Sequence, residues 1–359
     1  MRFDFHPLNV RAVDRQTTDA VAISFELPKD VNGAFKFRPG QYVTLRTRID
    51  GEDVRRTYSI CSLPGEDCIR VGVKVLEGGR FSTFANTHLK PGDVIEVMEP
   101  EGRFGVEIGG THDYLLIAAG SGITPMLSIA AAVLSHEPHS RVTLVYGNRT
   151  SDSIMFLEEL EDLKDAYLDR FTLITLLSRE AQDVELLNGR IDEARLKELA
   201  ARGLIDPAGA DAVMICGPGE MIDTVSRTLV DLGVDEKSIL AERFVPADGQ
   251  APRTPPSPAA RAAATEGAHV ETILDGRRLA FDITDPQMSV IDAGLAAGLD
   301  LPYSCKGGMC CTCRCKIVEG EAEMAVNYSL QPWEIEEGFT LACQSRPTTK
   351  RLVLDFDAV

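Results

Sequence analysis

At 359 residues the chain is too long for one ordinary domain, and an apolar fraction of 44% is enough to build two or three separate cores. A formal net charge of −18 argues against nucleic acid, whose phosphates it would repel, and against anionic membrane surfaces. The opening residues MRFDFHPLNV hold no apolar signal core, so the nine cysteines are expected to be reduced thiols in a cytoplasmic protein.

From the N-terminus to about residue 108, short strand-like runs alternate with turns: VAISFELP, QYVTLRTRI, IRVGVKVLEGG and DVIEVMEPEG. Such spacing predicts an antiparallel β-barrel over 1–108. Over 112–245, strand-like runs (YLLIAAG, RVTLVYG, FTLITLLS, AVMICG) alternate with helical ones (PMLSIAAAVLSH, IMFLEELEDLKDAY, RIDEARLKELAARG, EMIDTVSRTLVDLG). That pattern predicts a doubly wound α/β domain with a parallel sheet. The uncharged run Tyr114 to Ser135 is long enough to span a membrane, but its AGSGITP centre reads as strand, loop and buried helix. Residues 246–268, rich in Pro and Ala, read as a linker without a core of its own. Residues 269–359 return to strands, with one short helical pattern at SVIDAGLAAG.

Within the barrel, RRTYSICS (55–62) offers an aromatic ring to a flat cofactor and an arginine to a phosphate. EGGRFSTF (77–84) has a glycine pair before a helical turn, which suits a diphosphate at a helix N-terminus. The candidate flavin residues are Arg56, Thr57, Tyr58, Ser59, Val73, Gly79, Arg80, Phe81 and Ser82. A hairpin turn at Gly78-Gly79 and a core tyrosine at 58 are the plainer alternatives.

In the α/β half, AAGSGITPM (118–126) and CGPGEM (216–221) each close a strand with glycines. Two such loops at strand C-termini of one parallel sheet define a nucleotide crevice. Gly120, Gly122, Thr124, Pro125, Cys216, Gly217 and Pro218 are therefore candidates for the nucleotide. Ser178 and Arg179, in LLSRE at another strand end, suit a 2′-phosphate and favour NADPH over NADH, unless Arg179 is simply a solvated loop residue. Cys216 is either a small buried residue or a neighbour of the nicotinamide.

CKGGMCCTCRC (305–315) crowds five cysteines together. Cys305, Cys310 and Cys313 keep the C-x4-C-x2-C spacing of a plant-type [2Fe–2S] cluster, with Cys343 as the distant fourth ligand. Structural zinc, which prefers two paired knuckles, is the alternative, and only Cys310 and Cys313 form such a pair. Gly307 and Gly308 are expected to supply the backbone freedom the loop needs. Cys311 and Cys315 are expected to be small buried bystanders.

RTYSICS, EGGRFS, GSGITP and CGPGEM, in this order, resemble the ferredoxin–NADP reductase superfamily over about residues 6–245. The resemblance implies that Arg56, Tyr58 and Ser59 contact flavin, that Gly79 and Ser82 face its phosphates, and that Gly122, Thr124, Cys216, Gly217 and Pro218 face NAD(P)H. It further implies catalytic roles for Ser59, Cys216 and Glu242, with Glu242 or Phe244 of AERF beside the flavin ring. Residues 269–359 resemble a plant-type ferredoxin domain of β-grasp fold. The stretch from CKGGMCC to ACQSRP is similar to the reductase components of multicomponent phenylacetyl-CoA epoxidases. The implied cofactors are FAD, NADPH and one [2Fe–2S] cluster. The flavin is expected to convert a two-electron hydride into single electrons, the linker to let the ferredoxin domain move between flavin and partner, and a diiron oxygenase component to receive the electrons. The same chain serving a Rieske dioxygenase or another monooxygenase, of NADH/FMN type, is the alternative reading.

Overall fold

The computed structural model describes residues 4–31, 33–244 and 254–358. The chain divides into two compact units, one built mainly on residues 5–244 and the other mainly on the C-terminal region.

The first unit begins with six antiparallel strands: β1 (Phe5–Thr17), β2 (Ala20–Glu26), β3 (Tyr42–Ile49), β4 (Glu52–Ser59), β5 (Cys68–Lys74) and β6 (Val94–Met98). They lie in the order β4-β3-β6-β1-β2-β5. An antiparallel bridge between Ile60, just past β4, and Val71 of β5 joins the two ends of that order, so the sheet curls into a barrel. Asp50 and Gly51, at φ +54° and +82°, make the two-residue turn between β3 and β4 that a right-handed strand twist favours. Inward side chains, among them Phe25, Val43, Leu45, Ile69, Val73 and Phe81, form one core. Helix α1 (Arg80–Thr87) covers one end of it.

An α/β layer follows: β7 (Asp113–Ala119), α2 (Ile123–His136), β8 (Arg141–Asn148), α3 (Leu157–Ala166), β9 (Phe171–Leu177), α4 (Glu193–Ala201), β10 (Ala212–Gly217), α5 (Gly219–Asp231) and β11 (Ile239–Arg243). The strands are parallel in the order β11-β10-β7-β8-β9. Both sheet faces are covered, which is why β7 reads as a continuous apolar run rather than an alternating one. The order reverses between β7 and β10, so a crevice opens beyond the C-terminal ends of those two strands.

Barrel and α/β layer meet tightly. A side chain at Gly72 of β5 would collide with the Thr124 methyl (2.6 Å), Phe156 and Met155. The Ser128 hydroxyl donates to the Ser62 carbonyl at 2.8 Å, and Arg70 pairs with Glu159 at 2.8 Å. The buried carboxylate of Glu137 accepts from Gly109 N–H (2.7 Å) and Ser140 Oγ (2.6 Å), which fixes the segment entering β7.

The second unit holds α6 (Pro258–Glu266), β12 (Ala268–Leu274), β13 (Arg277–Ile283), α7 (Val290–Ala296), β14 (Arg314–Glu319), β15 (Ala322–Met324), α8 (Pro332–Glu336), β16 (Phe339–Leu341), β17 (Ser345–Pro347) and β18 (Arg351–Asp355). Its main sheet runs β13-β12-β18-β14-β16, with β12 and β18 parallel and the other pairs antiparallel. Val290, Ile291 and Ala293 of α7 pack into the sheet core with Phe281, Leu301, Leu341 and Leu354. Arg314 of β14 reaches the fully buried Glu334 of α8 at 2.8 Å and lies over the Phe339 ring, which anchors α8 to the sheet.

The reading of 246–268 as a linker without a core does not hold for its second half. Ser257 caps α6 through Ala260 N–H, Pro258 occupies the first turn, and Ala260, Ala263 and Ala264 are buried. Alanine carries the highest helix propensity, and this face of α6 packs on the C-terminal core. Thr254 is already tied to that unit by Ala325 and Arg346. Residues 246–253 lie outside the described residues.

Candidate functional site

Three elements converge at the expected flavin position. Ser59 ends β4, Cys216 nears the end of β10, and Glu242 lies opposite Cys216 on the parallel neighbour β11. The Ser59 hydroxyl donates to Glu242 Oε2 at 3.0 Å, so a barrel strand and a sheet strand are joined at this point. Burial pushes the Glu242 carboxyl up to about 7, against the Ser59 hydrogen bond, which lowers it. Burial, then the Glu242 charge, hold the Cys216 thiol well above the ordinary cysteine range, so it is a neutral thiol and not a nucleophile. Phe244 is exposed at the end of the same stretch.

Arg56, Thr57 and Tyr58 are half-buried on β4, with the Tyr58 ring 5.5 Å from that of Phe81. Gly79 caps α1, whose first-turn N–H groups lack helical partners and so provide donors for phosphate oxygens. Other residues expected to face the flavin make contacts within the protein. The Val73 and Phe81 side chains lie in the barrel core, and the Val73 carbonyl is taken by Asn86. The Ser82 hydroxyl closes the turn, accepting from Leu76 N–H and donating to the Gly79 carbonyl, both at 3.1 Å, so its one proton is already engaged. Arg80 reaches Glu52 and the Ile49 carbonyl.

At the crevice, Gly120 has φ +56° and open space where a side chain would project, so a ligand can approach its backbone. Tyr146 of β8, which the sequence reading did not single out, holds this turn by donating to the Gly120 carbonyl at 2.9 Å. Gly122 is needed for a different reason: a Cβ there would sit 2.2 Å from the Cys216 carbonyl oxygen. Gly217 and Pro218 complete the opposing loop and lead into α5. Gly122→Ala must therefore force the two loops apart. A loss of about 1–3 kcal/mol is expected from overpacking, together with weaker nucleotide binding, checked by denaturant unfolding and by NADPH titration. Thr124 and Pro125 do not face the crevice. Both are buried, the Thr124 methyl packs on Gly72 of the barrel and its hydroxyl donates to the Ser121 carbonyl.

Ser178 and Arg179 stand exposed just beyond β9. Their N–H groups donate to the carbonyls of Asn148 and Arg149, which sets two arginines on one rim. Glu180 is occupied by the Ser151 hydroxyl and N–H.

In the second unit the four spaced cysteines come together as two pairs. The Cys305 sulfur is held down to about 6, first by a hydrogen bond from the Cys310 thiol and, against burial, by the N–H groups of Gly307, Met309 and Cys310. Cys313 and Cys343 form the second pair, and Cys343 N–H points at the Cys313 sulfur at 3.5 Å. Four thiols in two pairs, with amides directed at the sulfurs, fit a two-iron cluster with one pair per iron. Among the described residues no three His, Cys, Asp or Glu side chains converge on one metal position. The left-handed backbone angles fall on Lys306 (+50°), Gly308 (+76°) and Cys311 (+57°), not on Gly307 as expected. A side chain at Gly308 would press on the Val326 carbonyl and the Gln344 stem. Cys315 is fully buried, as expected, whereas Cys311 is only half-buried.

A barrel carrying a phosphate-binding turn, a parallel sheet with a glycine crevice at its switch point, and a paired-cysteine module define a class: flavin- and pyridine-nucleotide-dependent reductases with a built-in ferredoxin. Residues 7–105 match the oxidoreductase FAD-binding domain, 116–227 the oxidoreductase NAD-binding domain, and 272–348 the 2Fe-2S iron-sulfur cluster binding domain. The chain is 46% identical to a component of the 1,2-phenylacetyl-CoA epoxidase of Escherichia coli (strain K12), covering 99% of this chain and 98% of that one. It is 36% identical to the 3-ketosteroid-9-alpha-monooxygenase ferredoxin reductase component of Rhodococcus rhodochrous, over 97% and 96% of the two chains. Phthalate dioxygenase reductase shares the fold, with a TM-score of 0.61 over 98% of each chain at 22% identity. The chain belongs to the family of ferredoxin reductase components of multicomponent oxygenases, which pass electrons from a pyridine nucleotide through FAD to a [2Fe–2S] cluster. Among the described residues no helix is long and apolar enough to cross a membrane.

Proposed function

We propose that this chain is the reductase of a phenylacetyl-CoA epoxidase, drawing electrons from NADPH and delivering them singly to a diiron oxygenase component. The carrying observation is 46% identity, over nearly the whole of both chains, to one component of such an epoxidase. The steroid monooxygenase reductase, at 36%, is the next reading. The test is reconstitution of the purified chain with both kinds of oxygenase component. Coupled epoxidation of phenylacetyl-CoA is expected. Coupling to the steroid enzyme alone, or substrate turnover without any oxygenase component, overturns the proposal.

When bound, the flavin takes both electrons of a hydride and releases them one at a time, which a nicotinamide alone does not do. The chain's own residues frame that chemistry. Arg56 and the first turn of α1 would hold the flavin phosphates, and Tyr58 would flank the ring. Glu242 can hold a proton against Ser59 Oγ, and neutral Cys216 would lie near the nicotinamide without adding charge. Cys305 with Cys310, and Cys313 with Cys343, would hold the two irons.

NADPH is preferred because the Arg179 guanidinium is exposed beyond β9 and suits a 2′-phosphate, which arginine can grip with two N–H donors, whereas the Ser178 hydroxyl is given to the Asn148 carbonyl at 3.2 Å. Loss of one such charge-assisted contact costs about 1.5–3 kcal/mol. Arg179→Ala is accordingly expected to raise KM for NADPH about 10- to 100-fold, taking 1.4 kcal/mol per factor of ten, and to leave KM for NADH nearly unchanged. Steady-state kinetics with an artificial electron acceptor reads this directly. Equal effects on both nucleotides would remove the 2′-phosphate assignment.

A further inference from the structure

Gln344 follows the fourth candidate ligand, Cys343, and is 1% exposed. Its side-chain Nε2 donates to the Lys306 carbonyl at 2.8 Å and lies 3.6 Å from the Cys343 sulfur. Its Oε1 is buried with no hydrogen-bond partner among the described residues. The orientation is dictated by the neighbours. Turning the amide over would set its oxygen against a carbonyl oxygen and an electron-rich sulfur, which repel it. Its main chain is equally fixed: the N–H donates to the Leu341 carbonyl at 2.8 Å, and the carbonyl accepts from Ala325 at 2.9 Å. Gly308 leaves room for the stem, with its missing Cβ 3.2 Å from Gln344 Cγ. Both protons of one buried amide therefore serve the cluster loop: one ties down the carbonyl after Cys305, the other faces the sulfur of Cys343.

We propose that Gln344 is a positioning residue for the iron–sulfur centre, which sets its potential through a side-chain N–H···S hydrogen bond and locks the Cys343 segment to the loop that begins at Cys305. Reduction adds one negative charge, shared with the ligand sulfurs. A donor aimed at a sulfur stabilises that reduced state more than the oxidised one and so raises the potential. Gln344 is 1% exposed, so bulk solvent does not replace a lost donor. The carbonyl clamp acts on geometry instead. Lys306 holds a left-handed backbone angle unusual for a side-chain residue, and the hydrogen bond to its carbonyl helps keep it there.

This inference rests on Cys343 being a cluster ligand, and the experiment separates the two. In the full chain, Gln344→Met keeps the length and volume and removes both donors. Midpoint potentials are read by redox titration with paramagnetic resonance, alongside iron and acid-labile sulfide content. The expected result is full cluster content, an unchanged rate of flavin reduction by NADPH, a more negative cluster potential, and a smaller share of cluster reduced at equilibrium. An unchanged potential in a fully loaded Gln344→Met variant overturns the proposal. Should that variant lose its cluster, the unsubstituted protein decides. With glutamine labelled by nitrogen-15 in the side chain, pulsed resonance of the reduced centre should show a coupling that Gln344→Asn, too short to reach, lacks. No such coupling in the unsubstituted protein overturns the proposal as well. Failure of the ligand reading looks different: Cys343→Ser would then keep its cluster.

Discussion

Replacing Cys343 by serine should empty the C-terminal unit of its cluster and end electron delivery to an oxygenase, while flavin reduction by NADPH continues. Cys343 is 1% exposed and paired with Cys313, so no water or distant residue takes its place. A serine oxygen is a harder ligand than a thiolate and suits iron–sulfur chemistry poorly. Apart from Arg56 and Thr57, the flavin and nucleotide candidates belong to the other compact unit, which has its own cores. Metal binding also contributes folding free energy, so the C-terminal unit should melt earlier. Iron content, the visible spectrum and stopped-flow flavin reduction report all three outcomes. Cys311→Ser and Cys315→Ser are the controls and should retain the cluster. A cluster that survives Cys343→Ser, or vanishes in Cys311→Ser, would refute the ligand assignment.

Glu242→Gln should slow NADPH oxidation by about 10²-fold, the low end for a lost proton-transfer group, and erase a pH dependence centred near neutrality. The carboxyl stands at about 7, so below that pH it is protonated and its own O–H can donate to Ser59 Oγ, reversing the bond by which Ser59 donates to the carboxylate at higher pH. The unsubstituted protein should lose rate as pH rises through about 7, and the variant should show a flat profile. Cys216, the other titratable group facing Glu242, stays neutral across this range. Folding stability moves in the same direction. The folded-state value of about 7 lies above the ordinary 4.5, so the native state holds an extra proton between these limits. That contribution is complete below about 4.5 and is lost as pH rises through 7. Glu242→Gln should therefore be slower yet relatively more heat-stable at pH 8 than at pH 5, measured as the difference in Tm. An inflection near 7 that persists in the variant would rule Glu242 out as its source.

Much of this was legible along the chain because the signals are local. Alternating runs in the first 108 residues mark half-buried strands, and the switch to apolar runs separated by amphipathic helices marks a sheet covered on both faces. Cysteine spacing is local too: three ligands in nine residues must share one loop. What sequence missed were contacts set by distant elements. Thr124 sits in a nucleotide-like motif, yet its side chain is buried against Gly72 of the barrel. Ser82 follows a glycine pair, yet its hydroxyl closes the turn. Ala-rich 258–266 looked like a linker because the surface covering it comes from β12 and β17, further along the chain.

Composition, periodicity and cysteine spacing by themselves determined three modules, their order and the redox chemistry they support, since each follows from residues close in the chain. Tertiary structure alone decided which atoms face each other. Ser59 meets Glu242 across 183 positions, and Gln344 clamps Lys306 across 38. A hydrogen bond depends on ångström distances between folded surfaces, and no periodicity in a sequence encodes which surfaces those will be.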